Sequence, residues 1–413
     1  MNIRKATAFG AIAALTVGVL ALGGTAAQAD VTNPGTTYQT VGSDTTQDVL
    51  AGLATLVHTG NAASPLALST FDATPQPTTF TSQTGTTVPR SDGSSQGLAA
   101  LKAAETGAIY TRTIPTPTGN VTQSSSAALT TNDVKFSRSS SGPSSPSATG
   151  TYAWVPFAVD GVTFAKNSSN TITNLTKADL KAIYEAANGA TVTLSIGSKI
   201  IGTQSNATAD IVPFLPQSGS GTRTFWLTTI GVTTLGSAVS DTYTVGGAAT
   251  QIQEHNGAVL AAVPKGIVPF SISQWLGQSR NTDINKSVAT GGYGLSIVDR
   301  RNGAVLANID STSPTTTNAA GKLLLNTGFS VLRPVFNVVK YDRVTSGTAS
   351  YDSVLAGVLT GTSAKVGTAP ALVLAGATVV EDFGFAKLST NPASPTVING
   401  TGYVLGQTTI RSN

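Results

Sequence analysis

Apolar residues recur at helical spacing in four segments of the chain. The four stripes run from Val49 to Val57, Leu98 to Ala104, Leu180 to Tyr184 and Phe225 to Ile230. Side chains three and four positions apart share one face of a helix, so each stripe predicts an amphipathic helix. Thr176 is the expected N-cap of the third helix, and Gly231 is expected to end the fourth.

Short apolar runs between these stripes predict strands. They are residues 134–136, 154–159, 211–215, 267–271 and 331–339. Strands that alternate with helices indicate an α/β fold, and we expect a mostly parallel sheet. Residues 111–133 and 137–150 are dominated by Ser, Thr, Pro and Gly, and we expect loops or partly disordered connections there.

The first 29 residues have the pattern of a secretory signal peptide. Arg4 and Lys5 precede an apolar run from Ala6 to Leu22, and small residues end the segment at Ala29. We therefore expect cleavage before Asp30. The apolar run is short for a bilayer-spanning helix, and no later run of about 18 apolar residues follows, so no membrane insertion is expected after cleavage.

Composition narrows the class of protein. The 413 residues include no cysteine, so neither disulfides nor a lipid anchor at the cleavage site is expected. Without Arg4 and Lys5 the basic residues fall from 24 to 22 against 20 acidic ones, a balance that argues against nucleic-acid binding. A zinc site is not expected, because the chain has no cysteine and only two widely spaced histidines, His58 and His255. We expect no metal and no cofactor. We expect a monomer in the extracellular or cell-wall space.

Three turns combine glycine and hydroxyl side chains directly before a predicted helix. They are GSDTT (42–46), DGSSQG (92–97) and SGSGTR (218–223). The first amides of a helix lack intrahelical partners and lie at the positive end of its dipole, so such turns attract anions. For any single one of them, helix capping by Ser, Thr or Asp is the better explanation. Three such helix starts together suit a tetrahedral oxyanion, and Arg223 would add a forked donor.

In order and spacing these motifs resemble the phosphate-binding members of the substrate-binding proteins that serve ABC importers. The similarity covers most of the chain and continues through VKFSRSSS (134–141), LTKADLKAIY (175–184) and EHNGAVLAAVPKGIVPFS (254–271). It implies a two-lobed periplasmic-binding-protein-like fold of type II, with the ligand in a cleft between the lobes.

The resemblance also implies how the chain divides between the lobes. One lobe would contain residues 30–156 and 268–413, and the other residues 157–267. Two crossover strands, WVPFAVDG (154–161) and KGIVPFS (265–271), would join them, and each contains a proline in an extended segment. The alternative is that these prolines lie on edge strands.

The resemblance assigns ligand contacts residue by residue. Pro216 stands where related phosphate binders typically carry an arginine, so Arg138 or Arg223 is expected to supply the cation. Ser140 and Ser218 stand at the usual acidic positions. The predicted ligand-binding residues are Asp44, Thr45, Thr46, Ser94, Ser95, Arg138, Ser139, Ser140, Ser218, Ser220, Gly221, Thr222 and Arg223.

One carboxylate is expected to set selectivity in such a site. Hydrogen phosphate carries a proton that needs an acceptor, whereas sulfate carries none and is repelled by a carboxylate. Asp44, beside Thr45 and Thr46, is the expected acceptor, and Asp92 is the other candidate. Asp44 has helix capping as its alternative role, and Asp92 has an ion pair with Arg90.

The predicted function is capture of an oxyanion, inorganic phosphate first, for an ABC permease or for scavenging, without catalysis. One alternative is a serine hydrolase, because GSSQG (93–97) satisfies the Gly-x-Ser-x-Gly elbow with Ser95 as nucleophile. The segment before it is polar and contains Pro89, unlike the buried strand such an elbow follows. His58 and His255 are expected to be surface or capping residues. A wall-associated interaction module is the third possibility, against which the α/β alternation argues.

Overall fold

The computed structural model describes residues 30–33, 35, 38–73, 78–116, 119–290, 295–374 and 376–413. The predicted signal peptide, residues 1–29, lies outside them. Within the described ranges, no helix combines the length and the apolar character needed to cross a bilayer.

The four predicted helices are all present. The Thr176 side chain accepts a hydrogen bond from the Asp179 amide, and Asp179 accepts one from the Thr176 amide, which forms a capping box at the third of them. Gly231, with φ of 74°, follows the fourth as expected. The helices of the described residues are α1 (Gln47–Ala54), α2 (Ser94–Thr106), α3 (Lys177–Glu185), α4 (Gly221–Thr229), α5 (Ala258–Ala262), α6 (Ile272–Ser279), α7 (Asn281–Thr290), α8 (Tyr341–Val344), α9 (Ser353–Leu359), α10 (Lys365–Thr368) and α11 (Val379–Asp382).

A sheet of nine strands forms the centre of the described part of the chain, and each of the five predicted strands overlaps one of them, the first only at Phe136. The strands are β1 (Tyr38–Gly42), β2 (Leu68–Thr70), β3 (Phe136–Ser139), β4 (Tyr152–Asn167), β5 (Val212–Pro213), β6 (Gly266–Ser271), β7 (Ala304–Leu306), β8 (Leu332–Lys340) and β9 (Arg411–Ser412). Their main order in the sheet is β5-β6-β4-β8-β3-β1-β2, with β7 and β9 also paired to β4.

The sheet is mixed, so the prediction of a mostly parallel sheet is wrong. β1 is parallel to β2 and β3, and β5 is parallel to β6. β4 runs antiparallel to β6, β7, β8 and β9, and β8 is also antiparallel to β3. The long strand β4 carries the chain out of one part of the sheet, and β6 and β8 run back alongside it, which makes the central pairs antiparallel.

The β4 strand is shared by two halves of the sheet. Residues 152–161 pair with β8, and residues 162–166 pair with β6. Pro156 lies opposite Phe336, where the β4–β8 register shifts, and a proline is tolerated at such an irregularity. Residues 304–309 pair with the half that contains β6 and with residues 174–175, although the sequence division put them in the other lobe. The lobe boundaries stay a prediction.

Several two-stranded pairs lie outside the central sheet. One of them, Thr111–Thr116 with Gly119–Ser124, lies in the region that composition predicted to be loop or partly disordered, so that prediction is wrong for these residues. Thr, Val and Ile favour strands even in a polar segment. The other two-stranded pairs are Thr79–Thr81 with Thr87–Pro89, Asn174–Leu175 with Asn308–Ile309, Ala190–Leu194 with Gly197–Ile201, Thr242–Val245 with Ala248–Gln251, Thr315–Thr317 with Leu323–Leu325, and Thr396–Ile398 with Thr401–Tyr403.

The carboxyl ends of β1 and β3 meet at one edge of the sheet. Gly42, the last residue of β1, lies opposite Arg138 in the parallel register. Gly42 has φ of 127°, and a Cβ there would lie 2.4 Å from the Arg138 carbonyl oxygen, so only glycine fits. The turn after β1 and the loop after β3 are therefore held side by side, as expected for a ligand site at the ends of parallel strands.

Candidate functional site

Thr45 lies at the centre of a buried group of polar side chains. Its Oγ1 is 3.0 Å from His255 Nε2, 3.2 Å from Glu254 Oε2 and 3.3 Å from Thr222 Oγ1. Arg333 donates from Nη2 to the same oxygen at 3.3 Å. We call this group the polar cluster. The polar cluster comprises Asp44, Thr45, Thr222, Glu254, His255 and Arg333, all buried.

Four separate parts of the chain bring the polar cluster together. Thr45 lies in the single 3₁₀ turn, Asp44–Thr46, between β1 and α1. Thr222 is the second residue of α4, Arg333 is the second residue of β8, and the loop before α5 supplies the acidic and imidazole groups. The α4 start is capped by Ser220, whose Oγ accepts from the Arg223 amide at 2.9 Å. The first amides of α4 have no carbonyl partner within the helix, so they are available to a capping side chain or a ligand.

Serines from α2 and from the loop after β3 adjoin the same helix start. The Ser140 amide donates to Ser94 Oγ at 3.0 Å. A Cβ built on Gly221 would lie 2.6 Å from Ser140 Oγ and 2.7 Å from Ser94 Oγ, so α4 approaches both serines closely. A Cβ on Gly93 would lie 2.6 Å from the carbonyl oxygen of Gly219. The starts of α2 and α4 are therefore in direct contact.

Arg333 is the cation of the polar cluster. It lies opposite Asp160 in the β4–β8 register and donates to Asp160 Oδ2 from Nε at 3.1 Å and from Nη2 at 2.8 Å. Nη2 also donates to Thr222 Oγ1 at 2.9 Å. Nη1 is buried and has no hydrogen-bond partner among the described residues. A planar guanidinium held on one edge by a carboxylate leaves its other donors for a ligand.

Asp44 and Glu254 form a pair of neighbouring buried carboxyl groups. Their oxygens lie within 4.8 Å of each other and of a His255 nitrogen. Burial, together with the nearby Glu254, raises the pKa of Asp44 well above its ordinary value. Burial also opposes ionisation of Glu254, but the interactions with His255 and the hydrogen bonds from Asp44 and Ser220 together outweigh burial and lower the pKa of Glu254. These opposite shifts favour ionisation of Glu254 over that of Asp44, and the role of Asp44 as the acceptor stays a prediction.

His255 is held in an uncommon conformation. Its φ is 56°, in the left-handed region that few residues other than glycine adopt, and such strain occurs often at functional sites. Its Nδ1 accepts a hydrogen bond from the Ser271 amide at 3.3 Å, so in the neutral ring Nε2 carries the hydrogen and donates to Glu254 Oε2 at 3.1 Å. An Nε2–H group has no lone pair for a metal ion, and this arrangement therefore does not suit metal binding.

The predicted ligand residues lie in several different environments. Thr45, Ser94, Ser140, Gly221 and Thr222 are in the contacts described above. Thr46 is buried, and its Oγ1 has no hydrogen-bond partner among the described residues. Ser139 Oγ donates to the Ser141 carbonyl oxygen and accepts from the Ser141 amide, within its own loop. Ser95 and Ser218 are exposed.

Arg138 has a structural role instead of facing the polar cluster. Its five N–H groups donate to the carbonyl oxygens of Thr40, Gly42, Ser43 and Phe71 and to the Thr70 hydroxyl. All its donors are therefore used by protein acceptors, and burial lowers the pKa of Arg138 to about 10. The expectation that Arg138 supplies the cation of the site is not supported by these contacts.

The other candidates in the sequence prediction are engaged elsewhere. Arg223 donates from Nη1 to Asp241 at 3.0 Å and to the Pro216 carbonyl at 2.9 Å, so its part in ligand binding stays a prediction. Asp92, the second candidate acceptor, pairs with Arg112 at 2.7 Å and not with Arg90.

The hydrolase elbow is not assembled as a catalytic triad. Ser95 Oγ donates to the Gly219 carbonyl at 3.3 Å. His58 Nδ1 contacts the Ser64 carbonyl, and His255 belongs to the polar cluster, so both rings hydrogen-bond elsewhere. A nucleophilic serine needs a base within hydrogen-bond reach, and neither histidine is a partner of Ser95.

Sequence reasoning missed Arg333, Asp160 and Glu254, and of the two roles it gave His255, surface or capping residue, the surface position is wrong. His255 is 2% exposed. A usable signal was present beside the strands, because Asp160 directly follows the predicted strand 154–159 and Arg333 lies within the predicted strand 331–339. Charged residues are almost never fully buried unless they are paired, so two such residues at predicted core strands indicate a buried ion pair.

Three comparisons relate the chain to known proteins. Solved structures similar to it include a putative phosphate ABC transporter substrate-binding protein with bound phosphate from Clostridium perfringens, at 15% identity, covering 85% of this chain and 98% of that one, with a TM-score of 0.42. A second is an ABC-type phosphate transport receptor from Vibrio cholerae, at 14% identity, covering 85% of this chain and 99% of that one, with a TM-score of 0.42. A third is a phosphate-binding protein from Stenotrophomonas maltophilia, at 14% identity, covering 90% of this chain and 100% of that one, with a TM-score of 0.43. A comparison with curated proteins gave no match. A family model described as a PBP superfamily domain matches residues 30–337, most of the chain, and the protein therefore belongs to the PBP superfamily.

Proposed function

We propose that this protein is an exported solute-binding protein that captures a tetrahedral oxyanion, inorganic phosphate first, in the cleft at the polar cluster. It acts by binding, without catalysis, and passes the anion to an ABC permease or retains it as a scavenger. The observation that carries this proposal is a set of buried polar atoms that have no hydrogen-bond partner among the described residues. These atoms are Oε1 of Glu254, Oγ1 of Thr46 and Nη1 of Arg333.

The unpartnered atoms call for a ligand that both donates and accepts. Arg333 Nη1 needs an acceptor, whereas Glu254 Oε1 needs a donor. Hydrogen phosphate offers charged oxygens and one O–H group on the same small tetrahedral molecule. Sulfate offers only acceptors, and a sugar offers no charge for the guanidinium. Unsatisfied buried groups each cost about 1–3 kcal/mol, so a ligand that satisfies several of them at once gains a substantial affinity.

The magnitudes are sufficient for tight binding. Micromolar affinity requires about 8 kcal/mol. Hydrogen bonds to charged groups contribute about 1.5–3 kcal/mol each. The hydroxyls of Thr45 and Thr222 contact each other directly, so a bound anion would replace that contact with hydrogen bonds to itself. The hydrogen bonds that Arg333 and the α4 amides donate to the anion offset the loss of the Thr45–Thr222 contact.

We infer that the ligand enters when the two halves of the molecule separate. In the proposed division, one lobe contains residues 30–156 and 268–413 and the other contains residues 157–267. The polar cluster takes Thr45 from the first and Thr222 from the second, and residues 154–161 and 265–271 serve as the crossovers. The predicted signal peptide, residues 1–29, would direct export to the extracellular or cell-wall space.

Phosphate is expected to raise the melting temperature of the protein by several degrees. A ligand present at a hundred times its dissociation constant adds about 2.7 kcal/mol to the free energy of unfolding. Thermal denaturation with phosphate, sulfate, sugars and amino acids tests this expectation. Stabilisation by an amino acid, with none by any oxyanion, would refute the proposed function.

Selectivity for phosphate over sulfate is expected to depend on the Asp44–Glu254 pair. The double variant Asp44→Asn/Glu254→Gln replaces the charged acceptor with neutral amides, which accept a hydrogen bond more weakly and no longer repel sulfate, while nearly preserving size. We expect its phosphate affinity to fall at least tenfold and its preference over sulfate to disappear, as measured by calorimetry with both anions. Asp44→Asn alone is the control, because Glu254 stays ionised and the preference should remain. A double variant that still prefers phosphate would place selectivity elsewhere.

A further inference from the structure

An open cavity of about 480 Å³ adjoins the polar cluster. The loop after β3, the exposed side of α4, the first residues of β8 and the Thr396–Tyr403 hairpin form its walls. One oxyanion of five heavy atoms needs only on the order of 100 Å³, since a water molecule occupies about 30 Å³. Cavities of about 300–1,000 Å³ are typical of sites for larger organic ligands. The space is therefore several times larger than a bare anion requires.

The cavity and the polar cluster share residues. Arg333 lines the cavity and also donates to Thr45 and Thr222. Ser140 lines it too, and lies against the start of α4 at Gly221. The space for an organic group therefore begins at the cation that would hold the anion.

The cavity walls suit an organic group that carries a ring. Phe225 lies under the Arg333 guanidinium, whose carbon is 5.3 Å from the ring centroid. Phe336 and Tyr403 pack edge to face at 6.4 Å, and Pro334 lies beside them. Aromatic walls favour a flat apolar group. Hydroxyl and amide side chains complete the lining, from Ser141, Ser144, Thr224, Thr228, Asn399 and Thr401.

We propose that the physiological ligand is a phosphate monoester whose ring-bearing organic group occupies this cavity. The inference rests on the proposed function, because the phosphoryl group binds at the polar cluster as inorganic phosphate would. A monoester keeps three terminal oxygens, and its second pKa is about 6. Near neutral pH it therefore presents charged oxygens to Arg333, and its protonated form also supplies an O–H group to Glu254.

Calorimetry with three probes tests the proposal on the full-length mature protein. The probes are inorganic phosphate, methyl phosphate and phenyl phosphate. We expect phenyl phosphate to bind at least tenfold more tightly than methyl phosphate, because only the former fills the aromatic part of the cavity. Phenol alone should not bind measurably, since it lacks the anion.

A blocking variant links the effect to this cavity. Thr228 is exposed on α4 and lines the cavity, so Thr228→Trp places a large side chain there without disturbing the core. We expect at least a tenfold loss for phenyl phosphate and no change for inorganic phosphate. Thr282→Trp, at an exposed position of α7 outside the cavity lining, is the matched control and should bind all probes as the parent does.

The outcomes separate the two proposals. Binding of inorganic phosphate with no advantage for phenyl phosphate, or with no effect of Thr228→Trp, would overturn the monoester inference and leave the proposed function intact. Absence of binding by all three phosphate probes would overturn both.

Discussion

Removing the charge of Arg333 is expected to weaken phosphate binding at least a hundredfold. Arg333→Gln alone would leave the fully buried Asp160 without its partner, and breaking such a pair costs about 3–5 kcal/mol of folding stability. The double variant Arg333→Gln/Asp160→Asn removes both charges and should fold. A hundredfold loss corresponds to about 2.8 kcal/mol, which one or two charged hydrogen bonds of about 1.5–3 kcal/mol each can supply. Calorimetry with phosphate on this variant measures the loss directly.

Two further variants identify the cation. Lys387→Gln removes an exposed positive charge elsewhere, with a side chain 51% exposed, and should bind as the parent does. Arg223→Gln tests the arginine that sequence reasoning proposed. A larger loss in Arg223→Gln than in the Arg333 double variant would show that Arg223 is the cation of the site.

Gly93→Ala is expected to weaken phosphate binding at least tenfold while leaving stability nearly unchanged. The added Cβ would lie 2.6 Å from the Gly219 carbonyl oxygen, a backbone atom that cannot rotate away. Gly93 has φ of 165°, an extended conformation that alanine adopts without strain, so the effect is steric. This steric clash would move the start of α2 away from the start of α4. The ligand could then no longer form hydrogen bonds with both helix starts at once. Calorimetry gives the affinity, and small-angle scattering shows whether phosphate still compacts the molecule.

Gly357→Ala is the matched control for this variant. Gly357 lies within α9, where a Cβ meets no atom within 4 Å, so the substitution should leave affinity unchanged and add slightly to helix stability. Unchanged affinity in Gly93→Ala would contradict a site that depends on contact between α2 and α4.

The local elements could be predicted from sequence because their causes lie within a few residues. The stripe from Val49 to Val57 and the one from Phe225 to Ile230 each need only the spacing of apolar residues to indicate a helix. Thr176 and Gly231 act on the adjoining turn, and both predictions are confirmed. The family resemblance likewise rested on short contiguous motifs, and a family model confirms membership of the PBP superfamily.

Strand direction and the role of Arg138 could not be predicted in this way. An apolar run indicates a strand but not its neighbour, and the antiparallel pairing of β4 with β8 depends on residues far apart in the chain. Arg138 lies in a serine-rich loop motif that resembles a binding loop. Only the packing of β1, β2 and β3 shows that five protein acceptors already occupy its guanidinium.

The sequence by itself determined four of the helices, five strand segments of the central sheet, membership of the PBP superfamily and the expectation of an anion at glycine-rich helix starts. The tertiary structure alone decided which charged groups meet there. Arg333 is 173 residues from Asp160, and Thr45 is 209 residues from Glu254. Their contacts follow from the β4–β8 register and from the approach of the loop before α5 to the turn after β1. A local pattern can indicate that a charged residue needs a partner, but it does not identify that partner. The burial and the hydrogen bonds that shift the pKa values of Asp44 and Glu254 exist only in the folded chain.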